Sequence, residues 1–350
     1  MFRNTEKKDL PMIHTLWKDI FQDQDDYLDY YFKHKYNTDF SYLIEENDTI
    51  VSSLQVHPYT YRLMDENLRF GYFHAIMTNK EQRNQGLMKE LLGCTFRDLY
   101  NKEIILGGLV PSSTSLFSLY EKYGFVSCFS TWEKYYKKQP TTKVVSLHVY
   151  EDSMFDDIYT YYEIMMKPSS NLLCKTKDDF KIMVDEHLLN GGVIHYGLDI
   201  DNVCGIVFID TKKELHVREM FVSTTLYIPL LNAVLQHYAL TKILVKSALP
   251  TMDSIQKAYG MARILNVYEV LSMLARKNLE LKLTLSIQDD YLYQNTGVFS
   301  LCDGDCEKIS NSTNEDTISI GELTKRLLLG GNLKDINIVS SIPYMGMLMD

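Results

Sequence analysis

The chain is short of the features that mark a membrane, secreted or nucleic-acid-binding protein. No apolar run approaches the roughly 20 residues that a membrane helix needs. Basic charge is in deficit: 36 Lys and Arg against 46 Asp and Glu leave a formal net charge of −10. A general nucleic-acid binder needs basic patches to neutralise phosphates, so that class is disfavoured. An acidic cleft would instead draw a cationic acceptor such as an amine. Cysteines are few, six in 350 residues, and scattered at Cys94, Cys128, Cys174, Cys204, Cys302 and Cys306. Most sit in apolar runs and read as small core residues. Cys302 and Cys306 flank the turn Asp303-Gly304-Asp305 and read as two reduced thiols, with a disulfide between them as the other reading. A metal site would need further ligands close by, so no metal is expected. The N-terminal segment MFRNTEKKDL is polar and predicts no signal peptide. A cytoplasmic, reducing location follows as the default expectation. What is plentiful argues against disorder: 45% hydrophobic residues and 25 Tyr. The length allows two or three domains.

Residues 77–92, MTNKEQRNQGLMKELL, read as a strand end, a tight turn and the start of an amphipathic helix. Arg83, Asn84, Gln85 and Gly86 sit at the turn. A helix start offers unpaired N–H groups and the positive end of a dipole. Gly86 has no Cβ, so a bulky anion can approach the backbone. Such a turn suits a phosphate or pyrophosphate; on its own it is equally an ordinary strand-to-helix turn. Upstream lie two strand-like runs with hairpin turns at Glu45-Glu46-Asn47-Asp48 and Asp65-Glu66-Asn67. Downstream come a short strand, EIILGGLV at 103–110, and Pro111-Ser112-Ser113, whose serines are candidate N-caps. The helix that follows carries Leu116, Phe117, Leu119 and Tyr120 and stops at Gly124.

This order of elements resembles the GNAT superfamily of acyl-CoA-dependent N-acyltransferases. RNQGLM matches its pyrophosphate motif, Arg/Gln-x-x-Gly-x-Gly/Ala, except that Met88 replaces the final small residue. LYEKYGF matches Tyr-x-x-x-Gly-Phe at Tyr120, Gly124 and Phe125. The Met88 departure resembles the enhanced intracellular survival (Eis) type. That type combines a GNAT domain, a second degenerate GNAT-like domain and a C-terminal domain similar to sterol carrier protein type two. Tyr259-Gly260-Met261-Ala262-Arg263-Ile264-Leu265 resembles the junction into its third domain. LSIQDDYLYQNTGVFSL, with Asp290, Asn295, Gly297 and Phe299, resembles the central hairpin there, and ISIGELTKRLLLGG the late helix. The expected fold is therefore α/β (α+β) in three parts: 1–138, 144–264 and 265–350. A polar linker at 137–143 contains Pro140. The middle part repeats the order of the first, but its turn Val222-Ser223-Thr224-Thr225-Leu226 lacks a glycine, so no CoA binding is expected there. Alternating leucines over NLELKLTLSI, 278–287, predict a half-buried strand.

The resemblance implies acetyl-CoA as co-substrate. It places Ile76, Met77 and Thr78 along the thioester arm, and Arg83, Asn84, Gln85, Gly86, Leu87, Met88 and Lys89 around the pyrophosphate. Ser112 and Ser113 meet the pantetheine. A bulge in the strand ending at Thr78 would splay the chain and free N–H groups to polarise the carbonyl. Tyr120 is the candidate general acid: a phenol of pKa ~10 can donate to a thiolate of pKa ~8.5. Alternatively it packs under the co-substrate. The resemblance assigns proton removal to the C-terminal carboxylate, here Asp350, although the family usually ends in an aromatic residue. His74, Glu45, Glu46 and Glu81 are lesser base candidates. The segment DQDDYLDYYFKHKY, 23–36, covers the acceptor site by resemblance. Asp23, Asp25 and Asp26 would attract an amine between walls that include Tyr27, Tyr30, Tyr31 and Phe32; the other reading has aromatics facing the core and aspartates facing water. The acceptor expected is a primary amine of an aminoglycoside-like drug, a polyamine or a lysine. A homo-oligomer, trimer or hexamer, is implied, with no nucleic acid and no membrane as partner. The competing functions are a degenerate acyl-CoA-binding sensor or scaffold, and a lipid carrier acting through the third part.

Overall fold

In the computed structural model, residues 1–212, 214–333, 336–338 and 341–346 are described. The chain forms two compact units. Among the described residues, the first gathers those of 1–129, 171–174 and 259–343; the second gathers those of 130–170, 175–258 and 344–346. Among the described residues no helix is long and apolar enough to cross a membrane.

The first unit opens with strand β1 (Phe2–Asn4), helix α1 (Leu10–Phe21) and helix α2 (Asp25–His34). Pro11 lies in the first turn of α1, where a missing N–H costs nothing. An antiparallel meander follows: β2 (Ser41–Glu46), β3 (Thr49–Leu63) and β4 (Glu66–Thr78). Its two hairpins turn on Asn47-Asp48 and Met64-Asp65, all four residues at positive φ. That is the backbone that matches the strand twist in a two-residue hairpin. The second turn thus falls a residue or two before its sequence-predicted place. Helix α3 (Leu87–Asn101) then leads to β5 (Leu106–Leu109), which pairs parallel with β4. Helix α4 (Thr114–Glu121) completes the region, and Gly124 at φ +80° takes the left-handed stop. The sheet order β1-β2-β3-β4-β5 is extended by the strand Ile255–Ile264, which lies antiparallel to β5. The four-residue strand Asn171–Cys174 pairs with the far end of β3.

Each sheet face has its own cover. Val56 and Phe73 point into an apolar cluster with Leu87, Leu91, Leu92 and Phe96 of α3. The opposite face, carrying His57 and His74, lies under Trp17 of α1 and Tyr31 of α2. The later part of this unit has a four-stranded sheet of Leu283–Gln288, Gly297–Cys302, Asp305–Ser310 and Thr317–Ser319, with helices Val267–Lys277 and Ile320–Leu329. The predicted strand at 278–287 begins only at Leu283. Residues 279–280 form the turn by which the chain leaves the preceding helix, and Leu279 is exposed.

In the second unit, Val193–Asp199, Asn202–Asp210 and His216–Val222 form an antiparallel meander. Helix Tyr227–His237 leads to Lys242–Ser247, parallel to His216–Val222. This repeats the order of β2 to β5. The whole chain is thus a mixed α/β protein with more than one sheet.

Candidate active site

The site begins with a defect in β4. Ser53 pairs with Met77 and Gln55 with His74, so Ala75 and Ile76 together oppose the single residue Leu54. Ala75 takes φ +45°. A bulge of this kind bends the strand and strengthens its twist. On the other edge, β4 pairs with β5 only from Phe70 to Tyr72. The edge of β4 from Phe73 to Thr78 therefore runs on without β5. Ile76 and Thr78 are half-buried along it, and Met77 is buried.

Because β4 and β5 are parallel, the turns that follow them lie at the same end of the sheet, the usual place for ligands in open α/β structures. After β4 the chain makes a short turn at Lys80–Gln82. It then passes through Asn84 at φ +64° and Gly86 at φ +84° into α3. Arg83, Asn84, Gln85, Gly86 and Lys89 are exposed, and Arg83 Nε donates to Thr78 O at 3.3 Å. Glu90 N makes the first bond back, to Gly86 O at 3.0 Å. Ahead of it, the N–H groups of residues 84–89 have no acceptor among the described residues. A Cβ built on Gly86 meets nothing within 4 Å. This is an open nest of donors at the positive end of a 15-residue helix. Met88, half-buried, packs on the core cluster to which Leu87 and Tyr120 belong.

After β5, Ser112 and Ser113 are exposed. Ser113 occupies the N-cap of α4 but makes no capping bond; its hydroxyl meets Ser115 Oγ at 3.0 Å. Tyr120, 7% exposed, joins the apolar cluster that includes Leu87 and Leu109, with Ile76 and Met88 packed on it. Its ring meets Phe125 edge-on at 6.1 Å, and no described residue hydrogen-bonds its hydroxyl. Burial, then Tyr123, push its phenol up to about 12. It stays protonated at neutral pH, the state a proton donor needs. The structure thus brings Ile76, Met77, Thr78, residues 83–89, Ser112, Ser113 and Tyr120 to one end of the sheet.

The acceptor-side residues fall differently. Asp23 accepts from Trp17 Nε1 at 2.8 Å, and Asp25 pairs with Lys18. Asp26 is exposed in the first turn of α2, and Tyr30 stacks on His34 at 4.4 Å. The tyrosine that faces the sheet is Tyr31. Its hydroxyl lies 3.2 Å from His57 Nε2, and its ring lies 5.4 Å from His74. Trp17 also lies 5.4 Å from His74. The buried His74 Nε2 and Gln55 Oε1 have no partner among the described residues. Burial, with Lys35 adding to it, lowers His74 to about 3. Burial, His74 and Lys35 hold His57 well below its ordinary value. Sequence reasoning missed Trp17 and His57; the alternation of His57, Tyr59 and Tyr61 on β3 with Tyr72 and His74 on β4 was the available signal. Glu45 is paired with Arg3, and Glu46 and Glu81 are exposed. Asp350 lies outside the described residues.

Residues 1–127 match the acetyltransferase (GNAT) domain family. No curated protein matches the chain significantly in sequence. Solved structures match it along most of its length. A probable N-acyltransferase of Enterococcus faecalis V583 superposes with TM-score 0.76 at 15% identity, covering 93% of this chain and 88% of that one. A GCN5-related N-acetyltransferase of Anabaena variabilis superposes with TM-score 0.76 at 16% identity, covering 99% and 98%. Eis1 of Mycobacterium abscessus superposes with TM-score 0.68 at 9% identity, covering 95% and 90%. At these identities the likeness is one of fold. The chain carries an acetyltransferase domain, and its open turn and splayed strand lie within the matched residues.

Proposed function

We propose that the chain is an acetyl-CoA-dependent N-acetyltransferase that moves an acetyl group to a primary amine of an aminoglycoside-like, polyamine or lysine acceptor. The observation that carries this reading is the combination of the bulge at Ala75 with the unpaired edge of β4 leading into the donor nest of residues 84–89. Such a nest binds a pyrophosphate through backbone N–H groups and the dipole of α3. Acetyl-CoA would supply an activated thioester. N–H groups on the edge near Ile76 would polarise its carbonyl, and developing charge there is stabilised most when donors are fixed beforehand. Tyr120 would hand its proton to the departing thiolate; its raised phenol, which keeps that proton at neutral pH, supports the role. Asp350 is proposed to assist proton loss from the amine. Asp25, Asp26 and Tyr30 are proposed to guide the acceptor from the rim of α2.

The parts 1–138, 144–264 and 265–350 are proposed as a catalytic module, a degenerate copy that binds no CoA, and a sterol-carrier-like module. The contact units join residues of the first and third parts in one body. A cytoplasmic homo-oligomer, trimer or hexamer, completes the proposal.

The test is thiol release from acetyl-CoA with kanamycin, spermidine and a lysine peptide as acceptors. Turnover with one class, reduced on the order of 10²-fold or more in Tyr120→Phe, is expected for a general acid. CoA binding without turnover across the panel would replace this reading with a non-catalytic binder.

A further inference from the structure

Arg263 is a fully buried guanidinium for which the proposed mechanism has no use. It lies on the strand Ile255–Ile264, next to β5. Its Nη2 donates to Asp289 Oδ2 at 2.6 Å, and its Nη1 donates to the carbonyl of Tyr123. The guanidinium carbon sits 4.2 Å from the centre of the Phe96 ring. Asp289 is itself held firmly. It accepts from Asn295 Nδ2 at 2.9 Å, Tyr291 N at 3.0 Å and Leu292 N at 3.2 Å. A buried ion pair is weak evidence for stability, because desolvation offsets much of its attraction. Its value lies in what it holds in place.

Two routes run from this guanidinium to Tyr120. The first is backbone. Tyr123 N and Phe125 N both donate to Tyr120 O, at 2.9 and 3.3 Å, and Gly124 N donates to Glu121 O. Arg263 closes that turn by donating to the Tyr123 carbonyl, one residue past the C-cap of α4 at Lys122. The second route is through rings. Phe96 takes the guanidinium on its face and meets Phe125 at 5.9 Å, and Phe125 meets Tyr120 at 6.1 Å.

We infer that Arg263, anchored on Asp289, is a positioning residue for Tyr120: it fixes the last turn of α4 and so the place of the phenolic hydroxyl. The inference rests on the proposed acid role of Tyr120. It assigns to residues far along the chain a part in the chemistry of the first 127. A misplacement of about 1 Å in a reacting group can lower turnover on the order of 10²-fold.

The test is a double-mutant cycle between Arg263→Lys and Tyr120→Phe. It measures kcat for thiol release from acetyl-CoA, with the best amine of the panel above or, failing one, with water as acceptor. Lysine keeps a charge for Asp289 but has no planar fork to reach Tyr123 O as well, and no flat face for Phe96. The expected result is a loss on the order of 10–10²-fold in kcat, with KM for acetyl-CoA little changed. In the Tyr120→Phe background the same substitution should cost less than about 2-fold, since no proton donor remains to position. Equal losses in both backgrounds would overturn the inference and leave Arg263 a structural ion pair. Tyr120→Phe with undiminished kcat would instead overturn the acid reading, which a separate variant reports. Should Arg263→Lys fail to fold, the pair Arg263→Met with Asp289→Asn removes both charges together and is judged by the same two comparisons.

Discussion

Two glycines with nearly the same backbone make a crossed prediction. Gly86 has φ +84° and Gly124 has φ +80°, so alanine at either is strained by about 1–2 kcal/mol. Their surroundings differ. A Cβ on Gly86 meets nothing within 4 Å, whereas a Cβ on Gly124 would lie 2.7 Å from Ile320 Cγ2 and 3.3 Å from Arg263 Nη1. Gly86→Ala should therefore lose only the backbone strain, about 1 kcal/mol once the stiffer unfolded chain is counted. That is a fall in melting temperature of about 2–4 °C for a body of this size. Gly124→Ala adds overpacking against Ile320 and Arg263, a further 1–3 kcal/mol or so. Affinity should run the other way. The space above Gly86 is where a pyrophosphate would meet the free N–H groups, so a methyl there should weaken CoA binding by roughly 10-fold or more, the loss of a single charge-assisted hydrogen bond. Gly124 lies away from that nest, and its variant should bind CoA as the parent does. Thermal melting and CoA titration by calorimetry measure both quantities on both variants. Undiminished CoA affinity in Gly86→Ala would refute the placement of the pyrophosphate, whatever the melting temperatures show.

Other consequences are open to direct measurement. His74→Leu removes a buried, unpartnered Nε2 and should leave stability unchanged or raise it by about 1 kcal/mol in denaturant titration; a marked loss would mean that His74 has a partner. Because the folded His74 titrates near 3 and an unfolded histidine near 6.5, the unfolded state binds more protons between those values. Stability should therefore fall as pH drops below about 6.5, and the fall between pH 7 and 5 should be smaller in His74→Leu than in the parent. Asn171 accepts from the Tyr61 hydroxyl at 2.6 Å and donates to Leu328 O at 2.9 Å and Ser341 O at 2.7 Å. Asn171→Ala strands these groups and should cost about 3 kcal/mol or more, read as a lower denaturant midpoint. Cys302 is exposed whereas Cys128, Cys204 and Cys306 are buried, with thiols pushed up by burial. In the native protein a thiol reagent should label Cys302 first and those three only on unfolding, as peptide mass mapping would show.

The sequence made local features plain and long-range partners obscure. The turn at Gly86 and the stop at Gly124 were readable because both need positive φ, which glycine alone adopts freely. The bulge could be anticipated only through resemblance, since Ala75 carries no mark of its left-handed backbone. In the run Tyr30-Tyr31-Phe32, neighbouring side chains point about 100° apart on a helix, and composition does not say which faces inward. Trp17 and His57, on other elements, decide for Tyr31. The strand Asn171–Cys174 is too short to show a period, and its partner β3 lies more than a hundred residues upstream. Arg263 was visible as part of a motif, but Asp289, which explains its burial, is 26 positions away.

The discontinuity of the first unit sets an order of events during synthesis. Residues 1–129 carry the proposed CoA-binding turn and Tyr120, yet their sheet is finished by residues 171–174 on β3 and by the strand ending at Ile264 on β5. At ribosomal speeds of roughly 5–20 residues per second, those first residues wait on the order of 10–40 s for position 343. For roughly the first 7–27 s of that wait, before the strand ending at Ile264 has been made, β5 is an unprotected edge and the turn after α4 lacks the Arg263 guanidinium. A chain ended before Arg263 would hold the whole acetyltransferase motif and still lack the strand on β5 and the guanidinium on the Tyr123 carbonyl. The motif-bearing residues are thus made early, and the strand and guanidinium that complete their surroundings come from residues made much later.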